Sequence, residues 1–247
     1  MIKFFYAVGD SLVWGHELHE DGPDADVGTE LSLFSPYRRK HCYTGIMADQ
    51  LEIAFYQNSG HPGGSNERSY RMLINDLSKA LLIYKPEEIF VNVGLTQITR
   101  REFCFGNDSS SYYHFNIHGP NPKNDPKNYQ LWELLVRDFN YDYGNFTFNI
   151  MMVLGIQNFL RINKIPYLMT TSLSLEVVKQ KCIIPAHLLE QIVKNRYFIN
   201  PSFNDFTNLN RYKTGPRRHP LEEAHAAWGS KLVKYIKTFN LLDNTDL

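Results

Sequence analysis

Short unbroken apolar runs alternate along this chain with longer stretches whose apolar residues recur every three or four positions. Residues 2–8 (IKFFYAV), 87–94 (EEIFVNVG) and 165–172 (IPYLMTTS) are of the first kind. Apolar runs this short predict strands buried on both faces, as in a parallel sheet. The second pattern occupies residues 44–56, where Ile46, Met47, Leu51, Ile53 and Ala54 share a helical spacing. It returns over 67–84 with Met72, Leu73, Leu77, Leu81 and Leu82, behind Ser65 or Asn66 as a cap and ahead of Pro86 as a stop. Helices are expected over 128–139, 145–163, around 186–197, and over 220–239. In the last of these Pro220 takes a first-turn position, and Glu222 and Glu223 suit the positive end of the helix dipole.

Strands alternating with helices predict an α/β fold of three layers, α/β/α, around a central parallel sheet. Functional groups in such sheets collect at the carboxyl ends of the strands. Ser11, Gly94 and Thr171 fall there. Residues 16–43 and 104–128 are polar and irregular and are read as loop insertions. Residues 174–213 carry no clear pattern beyond the one helix. No internal repeat or low-complexity linker divides the chain, so residues 1–247 are expected to form one domain.

Composition narrows the function classes. The 26 basic and 26 acidic side chains cancel, so no overall positive field draws the chain to nucleic acid or anionic lipid. The three cysteines, Cys42, Cys104 and Cys182, form neither a Cys-x-x-Cys metal pair nor a disulfide framework. The apolar N-terminus is too short for a signal peptide, and no stretch approaches the roughly 18 apolar residues of a membrane span. A cytoplasmic, reduced location without a membrane partner is expected. Aromatic residues reach 14% and crowd polar segments such as SSSYYHFNIHG (109–119) and FNYDYGNFTFN (139–149). They read either as loop packing or as a surface for a substrate or partner.

Candidate chemistry begins at GDSLVWG, residues 9–15, where Ser11 ends the first strand. A serine hydroxyl there is either a plain turn residue or a nucleophile, and a nucleophile needs a base. Among nine histidines, His219 stands on a loop pinned by Pro216 and Pro220, just before the last helix. His225 lies inside that helix and reads as a packed or capping residue. His16 and His19 have a metal-like spacing with no third ligand, so no metal or other cofactor is expected. NSGHPGGSN (58–66) offers Gly63, Gly64, Asn58 and Asn66 as hydrogen-bond donors, and Thr96 adds a hydroxyl after the second strand. The glycine run lacks the lysine of a phosphate-binding P-loop.

Together these segments resemble the SGNH, or GDSL-type, hydrolase superfamily. GDSLVWG matches its first motif, NSGHPGGSN its second, GLT (94–96) its Gly-x-Asn motif, and PRRHP (216–220) its Asp-x-x-His-Pro motif. They occur in the family's order, across nearly the whole chain. The resemblance implies the flavodoxin-like fold of that superfamily, with Ser11 as nucleophile and His219 as base. It implies an oxyanion hole of the Ser11 N–H, the Gly64 (or Gly63) N–H and the Thr96 hydroxyl. Asn66, Arg100 and Arg217 are candidate substrate-binding residues. Thr96 replaces the family's asparagine, and Pro216 stands where its acid belongs. A backbone carbonyl could then orient His219, giving a Ser–His dyad, or Asp205 could substitute. The GGSNERSYR and GLTQITRREF segments also resemble SGNH-like proteins of tailed bacteriophages, which would place the chain in a host cytoplasm or a virion. The implied activity is hydrolysis or transfer of an ester, on an acylated carbohydrate or another small polar ester. The alternative is an SGNH-like binding or structural module without catalysis.

Overall fold

The computed structural model describes residues 1–20, 35–104, 106, 112–116, 126–138, 142–173, 186–198 and 200–243. Its strands are β1 (Phe4–Val8), β2 (Phe55–Asn58), β3 (Ile89–Leu95), β4 (Arg100–Cys104), β5 (Tyr112–Asn116), β6 (Tyr167–Thr171) and β7 (Tyr197–Phe198). Its helices are α1 (Ser11–Trp14), α2 (Pro36–His41), α3 (Tyr43–Gln50), α4 (Asn66–Ala80), α5 (Pro126–Asp138), α6 (Asp142–Ile162), α7 (Ala186–Leu189), α8 (Phe203–Leu209) and α9 (Glu222–Thr238). Five strands form one parallel sheet in the order β2-β1-β3-β6-β7, with Phe4 opposite both Phe55 and Ile89. The strand order reverses between β1 and β3, and the crevice at such a reversal is where ligands bind in open α/β sheets. Ser11 follows β1 and Thr96 follows β3, so the chain delivers both to that crevice.

The sheet's period of two builds two cores. Phe4, Tyr6, Val8, Val91, Val93 and Met169 pack with Leu73 and Leu77 of α4 and Ile156 and Leu160 of α6. Phe5, Ala7, Phe90 and Leu168 point the other way, onto Met47 of α3, Phe203 of α8, and Trp228, Leu232 and Ile236 of α9. Trp228 is fully buried and stacks on Phe203 with ring centroids 5.4 Å apart. Burying each such side chain stabilises the fold by about 1.5–3 kcal/mol. The three-layer α/β/α reading therefore holds, because β1, β3 and β6 are buried on both faces, as their apolar runs require.

Several expected elements differ. The helix expected over 44–56 stops at Gln50. Glu52 takes a left-handed φ of 57°, and Phe55–Asn58 then forms β2. That strand lies at the sheet edge and alternates between exposed and half-buried residues, so it lacks a continuous apolar run. The 16–43 insertion is in part helical: Ser35 caps α2 by accepting from Arg38 N, and Tyr43 already belongs to α3. Residues 21–34 lie outside the described residues. Within 104–128, Tyr112–Asn116 pairs antiparallel with β4, and Pro126 begins α5. This hairpin docks on α4 through Arg71–Glu102 and Arg101–Glu67 ion pairs of 2.7 and 2.8 Å. The helix around 186–197 shrinks to α7, one 3-10 turn and β7. No helix among the described residues is long and apolar enough to cross a membrane.

His225 shows how α9 is fastened. Cys42 gives α3 no side-chain cap, and the Tyr43 N–H donates instead to His225 Nδ1 across 3.0 Å. Burial, reinforced by the nearby His219, pushes the His225 pKa down to about 3; a hydrogen bond to the Pro220 carbonyl pulls the other way. A protonated ring cannot accept from Tyr43. The unfolded chain takes up this proton at the ordinary histidine pKa and the folded chain only near 3. Stability is therefore full above pH 6.5 and falls as pH drops from 6.5 towards 3. The contribution is on the order of a few kcal/mol. In urea titrations, His225→Asn should lower stability at neutral pH and make its decline with acid shallower. It should not abolish the decline, because burial also holds His114 down to about 4.

Candidate active site

The crevice is assembled around a very short helix. Asp10 caps α1 by accepting from Leu12 N at 3.0 Å, and Gly15 closes it in a left-handed conformation with φ of 79°. The same Asp10 carboxylate accepts from the Thr96 hydroxyl at 2.8 Å and from Arg100 Nη1 at 3.3 Å. Val13 wedges between the ends of β1 and β3. A Cβ on Gly9 or Gly94 would come within 2.4 or 2.2 Å of its Cγ2. The glycines of GDS and GLT are thus required by packing, and they fix Ser11 against the sheet edge.

From the far end of the chain, residues 214–220 close a tight loop. Thr214 bridges to Pro220, and Gly215 N donates to the His219 carbonyl at 2.9 Å. The structure brings His219 to Ser11, with Nε2 2.9 Å from Oγ. The other ring nitrogen, Nδ1, lies 3.1 Å from Oε2 of Glu17. A carboxylate can only accept, so Nδ1 carries the ring proton, and the Nε2 lone pair faces the Ser11 hydroxyl.

Glu17 is the residue that sequence reasoning missed. The loop expected to lack an acid surrounds a buried one: Arg217 N donates to Oε1 at 2.8 Å, and His219 N to Oε2 at 3.0 Å. The Glu17 side chain is 1% exposed, and its backbone is left-handed with φ of 68°. That conformation costs a non-glycine residue roughly 1–2 kcal/mol. Asp205 does not approach His219; it bonds to Ser202 at the start of α8. The group on His219 Nδ1 in this structure is thus the Glu17 carboxylate, neither a backbone carbonyl nor Asp205. The sequence signal was faint, a glutamate six residues after Ser11 between two histidines.

The other expected site residues are placed differently. The Thr96 hydroxyl is committed to Asp10, and the Gly64 N–H donates to the His61 carbonyl at 2.9 Å. Neither is available to an oxyanion in this arrangement. The N–H groups of Ser11 and Gly63 have no acceptor among the described residues. Asn66 is a buried clamp: it donates to the Thr96 carbonyl and to Asn149, and it accepts from Thr96 N at 2.9 Å. Arg100 joins Asp10 to the Gly64 carbonyl. Arg217 reaches His16 Nε2 at 3.2 Å. These three are occupied with holding the crevice together. His16 stacks on His219, and His19 joins no metal-holding group of three among the described residues. Of the polar aromatic segments, Tyr112 lies under Arg71, Phe115 packs on Phe103, and Phe146 is in the core, which is packing; residues 109–111, 117–119 and 139–141 lie outside the described residues. A cavity of about 800 Å³ runs along the free edge of β2. Trp14, Tyr56, Gly60, His61, Arg68 and Tyr84 line it, and neither Ser11 nor His219 does.

Fold and strand order place the protein in the α/β class, with a three-layer α/β/α architecture. An α/β-hydrolase enzyme from the metagenome of Lake Arreo, Spain, is similar at 12% identity and a TM-score of 0.51, covering 98% of this chain and 96% of that one. A carbohydrate esterase, described as having an active site with divergent catalytic and non-catalytic binding functions, is similar at 13% identity and a TM-score of 0.51. It covers 96% of this chain, which spans 65% of that protein. A lipolytic G-D-S-L protein from Veillonella parvula aligns at 12% identity and a TM-score of 0.49, over 94% of this chain and 97% of that one. The chain itself belongs to a family described as of unknown function, DUF6071, whose model matches residues 23–247. No curated protein matches it. The family match contains His219 but not Ser11 or Glu17.

Gly215 tests the carboxylate's seat. A Cβ there would come within 2.7 Å of Glu17 Cδ and 2.8 Å of both its oxygens. Gly215→Ala should cost about 1–3 kcal/mol of stability by overpacking. A denaturant titration should find that loss smaller when Glu17 is also replaced by alanine, because the two residues share one space.

Proposed function

We propose that this protein is a serine-dependent ester hydrolase or acyltransferase with Ser11, His219 and Glu17 as its catalytic group. The observation that carries this reading is the unbroken contact line from Glu17 Oε2 to His219 Nδ1 and from His219 Nε2 to Ser11 Oγ, at 3.1 and 2.9 Å. The 2.9 Å distance suits proton transfer from Ser11 without rearrangement, and the 3.1 Å contact suits a hydrogen bond that orients the ring. Ser11 Oγ attacks the ester carbonyl as its proton passes to His219 Nε2. The carbonyl oxygen becomes an oxyanion, and the Ser11 and Gly63 N–H groups are assigned to receive it. Collapse breaks the bond to the alcohol, which leaves with the proton from Nε2. Water or an acceptor hydroxyl then loses its proton to Nε2 and attacks the acyl-enzyme; collapse breaks the acyl–Oγ bond, Ser11 Oγ takes the proton back from Nε2, and the acid or the new ester leaves. Glu17 holds the ring in the required tautomer and stabilises the imidazolium.

For the substrate, the reading favours an acylated carbohydrate or another small polar ester. The similar carbohydrate esterase supports it at the level of fold. A second reading, a binding module such as a component of a phage particle, is favoured by one observation. Two of the three expected oxyanion donors, Gly64 N–H and Thr96 hydroxyl, are already engaged.

The readings separate on p-nitrophenyl acetate and a fluorophosphonate probe. Hydrolysis by wild type and covalent labelling at Ser11, located by peptide mass spectrometry, are expected. Ser11→Ala and His219→Ala should each lose at least about 10³-fold in kcat, and Glu17→Gln about 10²–10⁴-fold. Wild type that neither hydrolyses nor labels would leave the binding module.

A further inference from the structure

His16 is a neighbour of this triad that the mechanism does not use. Its ring lies nearly parallel to that of His219, with centroids 4.5 Å apart and planes inclined by 22°. Its backbone N–H donates to the Ser11 carbonyl at 2.9 Å, so the stacked ring is tied to the same residue that carries the nucleophile. The next residue along is Glu17. Two successive side chains therefore hold His219, one on its ring face and one at its Nδ1 edge.

Arg217 sets the state of the His16 ring. Its Nη1 lies 3.2 Å from His16 Nε2. A guanidinium has donors only, so Nε2 must present its lone pair, and the His16 proton sits on Nδ1. His16 is thus a neutral aromatic ring against the face of a base that becomes cationic during the reaction. A neutral π face attracts a cation, whereas a protonated ring in the same place would repel it.

We infer that His16 is a positioning residue for His219: with its Nε2 accepting from Arg217, its ring fixes the plane of the base and stabilises its imidazolium through the ring face. The inference rests on the hydrolase reading above. His16 takes up no proton and forms no bond to substrate. Its effect belongs to the step in which the Ser11 proton moves to His219 Nε2. It should therefore appear in kcat and not in substrate binding.

The test compares wild type, His16→Ala and His16→Phe on p-nitrophenyl acetate. His16→Ala should lower kcat by about three- to thirtyfold, the size of a lost cation–ring contact, with KM unchanged within about twofold. His16→Phe should recover most of the loss, because it returns a flat ring without a titratable nitrogen. Wild-type kcat in His16→Ala, or no recovery in His16→Phe, overturns the inference and leaves the triad reading intact. A second measurement does not depend on turnover. Long-range proton–nitrogen spectra of histidine-labelled protein near neutral pH should show His16 uncharged with its proton on Nδ1. A proton on Nε2, or a charged ring, overturns the inference even in a protein inert to esters. Such inertness would itself overturn the hydrolase reading.

Discussion

One buried carboxylate holds the two ends of this protein's chemistry together. Glu17 takes three hydrogen bonds from the loop at residues 217–219, two from backbone and one from the His219 ring. A carboxylate removed from water costs several kcal/mol unless its lone pairs are filled, and here the filling groups come from 200 or more residues away. The loop that fills Glu17 is also the one that presents His219 to Ser11. The strained left-handed backbone at Glu17 is what turns the carboxylate back under that loop. The need to satisfy a buried carboxylate is thereby coupled to the placement of His219 against Ser11.

The fold supplies the frame for that coupling. The reversal of strand order beside β1 opens the crevice, and Asp10 stitches its walls by binding α1, Thr96 and Arg100 at once. Thr96 and Arg100 thereby act on one carboxylate beside the nucleophile, and Asn66 clamps the next turn of the same wall. These residues sit where a substrate contact was expected, but their polar atoms are spent on architecture. Two buried carboxylates have different places: Asp10 shapes the turn that bears Ser11, and Glu17 holds the His219 ring.

Much of this was legible in the sequence, and the rest was hidden for physical reasons. β1, β3 and β6 announce themselves because both faces are buried, and α4, α6 and α9 because one face is. β2 escaped because an edge strand needs no unbroken apolar run, and α2 because its six residues are mostly basic and polar. Ser11 and His219 stood out because each sits in a compact local motif. Glu17 did not, because its partnership with His219 spans 202 residues and follows no local spacing. Pro216, in the place of the expected acid, was the visible half of that relocation. The Thr96 hydroxyl and Gly64 N–H were misjudged because sequence shows that a donor exists and not which acceptor claims it.

The central claim is that Glu17, His219 and Ser11 act as one unit. A crystal structure of the protein after reaction with a fluorophosphonate tests it most directly. The account predicts phosphorus bonded to Ser11 Oγ, its oxygen on the Ser11 N–H, and the His219 ring still bridging Glu17 and the adduct. An adduct on any other residue, or a His219 ring turned away from Glu17 with Ser11 unmodified, would contradict it.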